Sequence, residues 1–324
     1  MSLLHVFNGD SSLLLFREIY DDQYQTMVWR EILCEGPAIE KIHSDDFLKT
    51  RAEFLSEFMG VSQSDYDQKW KKEMTKAFEQ RFDEIVLWFE YDLFCQINMI
   101  AAISFFDNNF NIKKISLICV GNEGDSPLLK GLGELSPQAY PQLLKSRELL
   151  EETDIAFAKN LWKMYCSDDH RHIIKKANEA PSVFTYLFDA FLAHQKRFPS
   201  VKNGLNLLEE TILKLIDESP KSEKEIVREM LRLENYYGFG DLQYAIYIDR
   251  LSELYDKFAA RDGASNEEKQ VLKLNDLGVA ILAGERKFDR SIHQSQNAST
   301  FGGCSALSYS FQTSTGELLK NDDK

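Results

Sequence analysis

Short apolar runs alternate with amphipathic stretches over the first 120 residues. Leu3-Leu4-His5-Val6-Phe7 stops at Asn8-Gly9-Asp10, the pattern of a buried strand meeting a turn. The runs at 25–29, 84–89 and 114–120 repeat it, ending at Arg30-Glu31, Glu90-Tyr91-Asp92 and Gly121-Asn122. Between them lie stretches of helical spacing: 11–20, with Asp10 or Ser11 as N-cap; Ser44-Asp45-Asp46 opening a helix to Gly60; 64–82; and 93–106. Parallel neighbours need crossover connections, and continuous apolar strands suit a sheet covered on both faces. The pattern predicts an α/β fold, with a doubly wound, mainly parallel Rossmann-like domain over 1–145.

Residues 146–202 read as a helical region, with Leu149-Leu150, Ile155, Ala158, Leu161-Trp162 and Tyr165 at helical spacing and a second helix starting at Pro181. From 203 onward the pattern changes. Helices at 205–217, 222–233 and 241–254 precede a short strand at 271–274 and a turn at 275–278. Three helices and a strand–turn unit outline a winged helix. Phe301-Gly302-Gly303 and Leu307-Ser308-Tyr309-Ser310-Phe311 predict a terminal hairpin, with a frayed end over 321–324.

Composition narrows the function classes. No apolar run approaches the ~18 residues of a membrane span, and the N-terminal stretch lacks the positive region of a secretory leader. Five scattered cysteines with no CxxC spacing predict neither a disulfide framework nor a standard zinc site. These features predict a cytoplasmic protein without membrane contact. The net charge of −14 opposes bulk attraction to nucleic acid. Residues 203–324 carry 21 acids against 15 Lys and Arg, and the third helix of the winged-helix outline holds Asp241, Asp249 and Glu253 against Arg250. A groove-reading helix needs the opposite charge. The winged-helix unit therefore predicts packing or protein contact, within a homo-oligomer or with another partner.

Candidate chemistry gathers at the strand ends, where open α/β sheets bind ligands. The first strand delivers Asn8, Asp10 and Ser11, and the second Arg30, Glu31 and Glu35. The third delivers Glu90, Asp92 and Gln96, and the fourth Gly121, Asn122 and Glu123. Converging carboxylates hold a hard cation such as Mg²⁺, or drive each other's pKa values apart for acid–base work. Asp10, Glu31, Glu90 and Asp92 are the candidate catalytic residues, with Asp10, Glu90 and Asp92 as candidate Mg²⁺ ligands. Arg30 is suited to grip a small anion bidentately, with Asn8, Ser11, Glu35 and Gln96 lining the ligand. The NGD turn is neither GxGxxG nor a P-loop, which disfavours standard dinucleotide binding. Cys34 and Cys95 follow strands without a neighbouring His, the surroundings of a buried thiol rather than a nucleophile. His170 and His172 fall in a polar stretch that reads as a solvated helix start.

Four segments carry a resemblance in order along the chain: Phe7-Asn8-Gly9-Asp10-Ser11, Val28 to Pro37, Leu87 to Gln96, and Gly131-Leu132-Gly133-Glu134-Leu135-Ser136-Pro137. With Phe198 to Leu205 they resemble the DUF1835 family, a bacterial domain of unknown function, over nearly the whole chain. The resemblance implies no reaction. It implies His at the positions of Cys34 and Tyr91 and Asp at that of Cys95, and this sequence departs at all three. Asp10, Arg30, Glu31, Glu35, Glu90, Asp92 and Gln96 match its pattern.

Two functional classes follow. The first is an enzyme binding a small phosphorylated or nucleotide ligand at the strand ends, for metal-dependent hydrolysis or phosphoryl transfer. The second is a regulatory or interaction protein that senses a ligand in the α/β domain and signals through the C-terminal unit.

Overall fold

In the computed structural model, described for residues 2–110, 112, 114–121, 129–233, 236–261, 268–290 and 299–321, the chain divides into two compact units. The first comprises residues 1–191 and 300–304, the second 192–299 and 305–324. The division between the units falls at Phe191/Leu192, within the region read as helical.

The first unit is built on a five-stranded sheet. Its strands are β1 (Leu3–Phe7), β2 (Gln25–Val28), β4 (Glu84–Glu90), β5 (Ile115–Val120) and β6 (Glu148–Leu149), ordered β2-β1-β4-β5-β6. The first four run parallel, with Phe7 beside Val28 on one side and Trp88 on the other, as the apolar runs predict. The edge strand β6 is antiparallel to β5. A two-residue strand β3 (Gly36–Pro37) lies outside this sheet.

Between β1 and β2 runs α1 (Asp10–Tyr20). Its Leu13 and Phe16 pack with Phe7, Val28, Val86, Trp88 and Ile118 on one face of the sheet. The segment predicted from Ser44 to Gly60 is α2 (Asp45–Met59). The Ser44 hydroxyl accepts the Phe47 N–H, and Gly60 closes the helix in the left-handed region. The helix predicted over 64–82 is broken instead. Two short turns, α3 (Gln63–Tyr66) and α4 (Lys72–Thr75), flank a π-helical turn at Asp67–Lys71.

From β4 the chain enters α5 (Leu93–Asn109), which is buried on every side along most of its length. It packs on β4 and against α7 (Glu152–Tyr165), reached through α6 (Tyr140–Lys145). Two covered faces explain why its sequence is apolar all round rather than striped. The short α8 (Ile173–Ala177) and α9 (Leu187–Gln195) follow. Contrary to the solvated reading, His170 is fully buried. Its ring stacks on Tyr165 at 5.3 Å, its Nε2 lies 2.8 Å from the Tyr165 carbonyl, and burial pushes its pKa down to about 4.

The second unit opens with α10 (Leu207–Glu218), capped by Asn206, and α11 (Glu223–Arg232), capped by Ser222 as the sequence predicts. α12 (Asp241–Asp249) ends earlier than expected. The chain then forms β7 (Tyr255–Arg261), which pairs antiparallel with β8 (Glu268–Leu274). Lys221, between the first two helices, bridges Leu272 of β8. The residues read as a turn at 275–278 instead start a helix, α13 (Asp276–Ala283), with Asn275 accepting the Gly278 N–H.

The expected terminal hairpin forms from different strands. β9 (Thr300–Gly302) pairs in parallel with β3, and β10 (Cys304–Ser305) lies beside β9. The hairpin is β11 (Tyr309–Gln312) with β12 (Glu317–Lys320). None of the five cysteines forms a disulfide. Among the described residues, no helix is long and apolar enough to cross a membrane.

Candidate functional site at the ends of β1 and β4

β1 leads to its neighbour β2 on one side and β4 to β5 on the other, so the order of the sheet reverses between β1 and β4. The crevice outside the carboxyl ends at such a reversal is where open α/β sheets take ligands. β4 stops at Glu90, and two residues later Asp92 caps α5, its Oδ1 accepting the Cys95 N–H at 2.8 Å. The Cys95 thiol sits one turn into the helix. Donor atoms of Glu90, Asp92 and Cys95 lie within 4.8 Å of one another, the one such group of three among the described residues.

A loop after β5 closes over Glu90. Its Oε1 accepts the Leu132 N–H at 2.8 Å, and the Gly133 N–H also points at the carboxylate. A side chain at Gly131 would place Cβ 2.5 Å from Glu90 Oε2, so any larger residue would displace the Glu90 carboxylate. Ser11, on the first turn of α1, reaches the same loop: a Cβ at Gly133 would stand 3.3 Å from its hydroxyl.

Burial sets the electrostatics. It pushes Glu90 up to about 7, helped by the adjacent Asp92 charge and opposed by the two loop N–H groups. It pushes Asp92 up to about 6, against hydrogen bonds from the Cys95 backbone and thiol. Burial and these two carboxylates push the Cys95 thiol well above its ordinary range, so it carries its proton at neutral pH. Two neighbouring carboxyls, Glu90 half-buried and Asp92 buried, that titrate near neutrality are equipped to exchange protons with a ligand.

Asn8 and Gln96 belong to this group. Asn8 Nδ2 donates to Cys95 Sγ at 2.8 Å, and Gln96 Nε2 donates to the Glu90 carbonyl at 2.6 Å. Gln96 is fully buried, and its Oε1 has no hydrogen-bond partner.

The remaining candidates are placed differently. Asp10 is the first residue of α1 and not its cap. Gly9 occupies that position and offers no side-chain cap. The Asp10 carboxylate instead takes Arg30 Nε at 3.1 Å and Nη2 at 2.5 Å, in an exposed pair. Arg30 also meets Glu73 at 3.3 Å and the Lys69 carbonyl at 3.0 Å. Its guanidinium is thereby committed to the protein's own acids, and the anion grip expected of it is taken up.

Glu31 is buried in a structural ion pair. Arg51 Nε donates to it at 2.9 Å and the Tyr66 hydroxyl at 3.0 Å. The same guanidinium holds the carbonyls of Ile32, Glu35 and Pro37, which fixes the segment after β2. Glu35, also buried, lies in that segment. Asn122 and Glu123 lie outside the described residues. The expected Mg²⁺ set of Asp10, Glu90 and Asp92 is not the one assembled: Asp10 is paired with Arg30, and the third donor beside the two carboxylates is a thiol. Mg²⁺ takes oxygen ligands.

Sequence reasoning missed two contributors. One is the pair of loop N–H groups on Glu90, foreshadowed by the glycines of Gly131-Leu132-Gly133. The other is Asn98, a fully buried polar residue on the apolar α5. No protein-family model matches the chain, and no curated protein matches it in sequence.

Proposed function

We propose that the first unit is an enzyme domain that acts on a small phosphorylated or nucleotide-like ligand in the crevice between β1 and β4. The observation that carries this reading is the pair of half-buried Glu90 and buried Asp92 at the reversal point of the sheet. One carboxyl is cradled by loop N–H groups and the other caps a helix. Glu90, the more weakly acidic, donates and recovers the proton, and Asp92 remains the anion that orients and polarises. With Arg30 engaged, the anionic end of the ligand falls to the first turn of α1. The N–H groups there have no side-chain cap. Hydrolysis and phosphoryl transfer both use such an acid beside an anion-binding turn.

Thermal unfolding with panels of nucleotides and sugar phosphates, each with Mg²⁺, Zn²⁺ or chelator, tests this. A ligand at 100 times its Kd stabilises by about 2.7 kcal/mol. Glu90→Gln should remove that stabilisation while the protein stays folded. Equal stabilisation of the variant, or no stabilising ligand in either panel, refutes the reading. Stabilisation by Zn²⁺ alone that disappears in Cys95→Ser would replace it with a metal centre.

A second reading has one observation behind it. The order α10, the bridge at Lys221, α11, α12 and the paired β7 and β8 supports a winged-helix reading of the second unit. This supports a regulator that senses a ligand in the first unit. α12 exposes Asp241, Leu242 and Asp249, a surface suited to protein rather than DNA. Mobility shift with mixed-sequence duplex at low salt tests this: tight, salt-sensitive binding would overturn the protein-contact assignment.

A further inference from the structure

Three side-chain amides gather at the crevice end of the sheet, and two of them are paired at both ends. Asn98 accepts the Leu33 N–H at 3.3 Å and donates to the Glu31 carbonyl at 2.6 Å and to Asn8 Oδ1 at 2.8 Å. Asn8, its oxygen so engaged, donates from Nδ2 to Cys95 Sγ at 2.8 Å. Gln96 is the exception. Its Nε2 donates to the Glu90 carbonyl at 2.6 Å and to Cys119 Sγ at 3.3 Å, which uses both protons. Its Oε1 is buried and has no partner among the described residues.

The amide cannot turn to relieve this. Reversed, it would set its oxygen against the Glu90 carbonyl, and two carbonyls can only accept. The oxygen and nitrogen of a primary amide are roughly 2.3 Å apart, so Oε1 stands within roughly 5 Å of the Glu90 carbonyl that ends β4. Buried polar groups in folded proteins almost always have partners. The crevice therefore holds an acceptor, fixed in place and unspent, that calls for an N–H or O–H from outside the chain.

Aromatic rings stand at the same strand ends. Tyr91 follows Glu90, and its ring meets that of Tyr186 edge to face, centroids 6.2 Å apart. Tyr186 presses on the residue after β5: a Cβ at Gly121 would fall 2.5 Å from its ring. Both tyrosines are half-buried, so part of each stays accessible. Accessible rings with a fixed acceptor are the parts of a site for a planar ring that carries a donor.

We infer that Gln96 is the specificity-determining residue of this crevice: its Oε1 accepts from an amino group on a planar ring, so the site takes amino-substituted nucleobases and rejects their keto counterparts. A keto oxygen at the same position would meet the Gln96 oxygen acceptor to acceptor, and the amide, held by the Glu90 carbonyl, cannot flip to accommodate it. A sugar phosphate has no such ring. Oε1 is closed to solvent without a ligand, so the ring must displace part of its cover to arrive. The inference rests on the nucleotide-like ligand proposed above and narrows it to one chemical class.

The test is isothermal titration calorimetry of the full chain with two near-isosteric pairs, AMP against IMP and CMP against UMP, and with ribose phosphate. AMP and CMP should bind at least about tenfold more tightly than their partners, the worth of one well-made hydrogen bond. Ribose phosphate should bind more weakly than either. In Gln96→Met the amino member of each pair should weaken while the keto member does not, and the ratios should collapse; a purely structural role would weaken both alike. Gln96 is buried, so Gln96→Asn, which keeps the amide but withdraws it by one methylene, is the second variant and should give the same collapse. Equal affinities within the wild-type pairs, the result if Oε1 only holds a buried water, overturn the inference whatever the variants do. So does a preserved ratio in whichever variant retains the wild-type circular dichroism, or failure of AMP and CMP to bind. The enzymatic reading is judged separately. Sugar phosphates that stabilise the protein when AMP and CMP do not would keep that reading and remove this one. Unaltered AMP binding by Glu90→Gln would remove that reading and leave Gln96 selecting the base.

Discussion

Glu31→Gln separates scaffold from site. The change keeps volume and an acceptor for Tyr66 but removes the charge opposite Arg51, whose side chain is fully buried. Stranding one partner of a buried ion pair costs about 3–5 kcal/mol. Here Arg51 keeps the carbonyls of Ile32, Glu35 and Pro37, which continue to solvate the cation. The lower end, about 3 kcal/mol, is expected. Arg51→Met should cost more, because it strands both the Glu31 carboxylate and three carbonyls that share one guanidinium, each orphaned acceptor adding about 1–3 kcal/mol. The measurement is urea unfolding followed by circular dichroism, with the midpoint and slope compared across both variants. The folded fraction of Glu31→Gln should still respond to whatever ligand stabilises the wild type. A loss below about 0.5 kcal/mol, the ordinary cost of a neutral surface change, would refute the structural assignment. So would a stable variant that no longer responds to ligand, and Glu31 would return to the chemistry.

Glu90 and Asp92 titrate above their unfolded values, so the folded state holds their protons more tightly. Their contribution to stability is complete below about pH 4 and is lost as pH rises through about 6 and then 7. Unfolding midpoints should fall across that window, and the double change Glu90→Gln with Asp92→Asn should flatten the curve. Gly131→Ala pushes a methyl against the free end of the Glu90 side chain; ligand-induced stabilisation should drop at least tenfold in apparent affinity with a melting temperature close to wild type. Gly36→Ala meets both a left-handed backbone, φ +73°, and the buried Phe54 ring 2.4 Å away, so a loss of about 2–4 kcal/mol is expected in urea unfolding.

The parallel sheet was legible because β1, β2, β4 and β5 are continuous apolar runs with turn residues at their ends. α2 was legible to the residue through Ser44 and Gly60. β3, β6 and β9 were not, since two or three residues carry no period and their pairing is decided by distant partners. The broken helix at 63–78 has regular helical composition, and nothing local announces its π turn. In the candidate site, Asn8, Glu90, Asp92 and Gln96 were found because strand ends are where this topology gathers side chains. Glu31 and Arg30 occupy equivalent positions in the text of the sequence, yet each is claimed by a partner 20 residues away, Arg51 for one and Asp10 for the other. A strand end says which groups are delivered there and does not say which are already spoken for. Asn98 had a signal, a lone buried amide in the run Ile97 to Phe106, that is readable only when a polar residue inside an apolar helix is treated as a question.

The parallel pairing of Gly36 and Pro37 with Phe301 and Gly302 bears on how the protein is made. Gly302 and Gly303 fit so closely beneath the Tyr165 and Cys166 carbonyls that a side chain at either would collide with the backbone. Because residues 300–304 belong to the first unit, that unit cannot be completed on the ribosome until the segment around Phe301 has been synthesised, more than a hundred residues after Phe191. A truncation ending near residue 191 keeps the parallel sheet but leaves the Gly36 edge bare, an invitation to pair with another nascent chain.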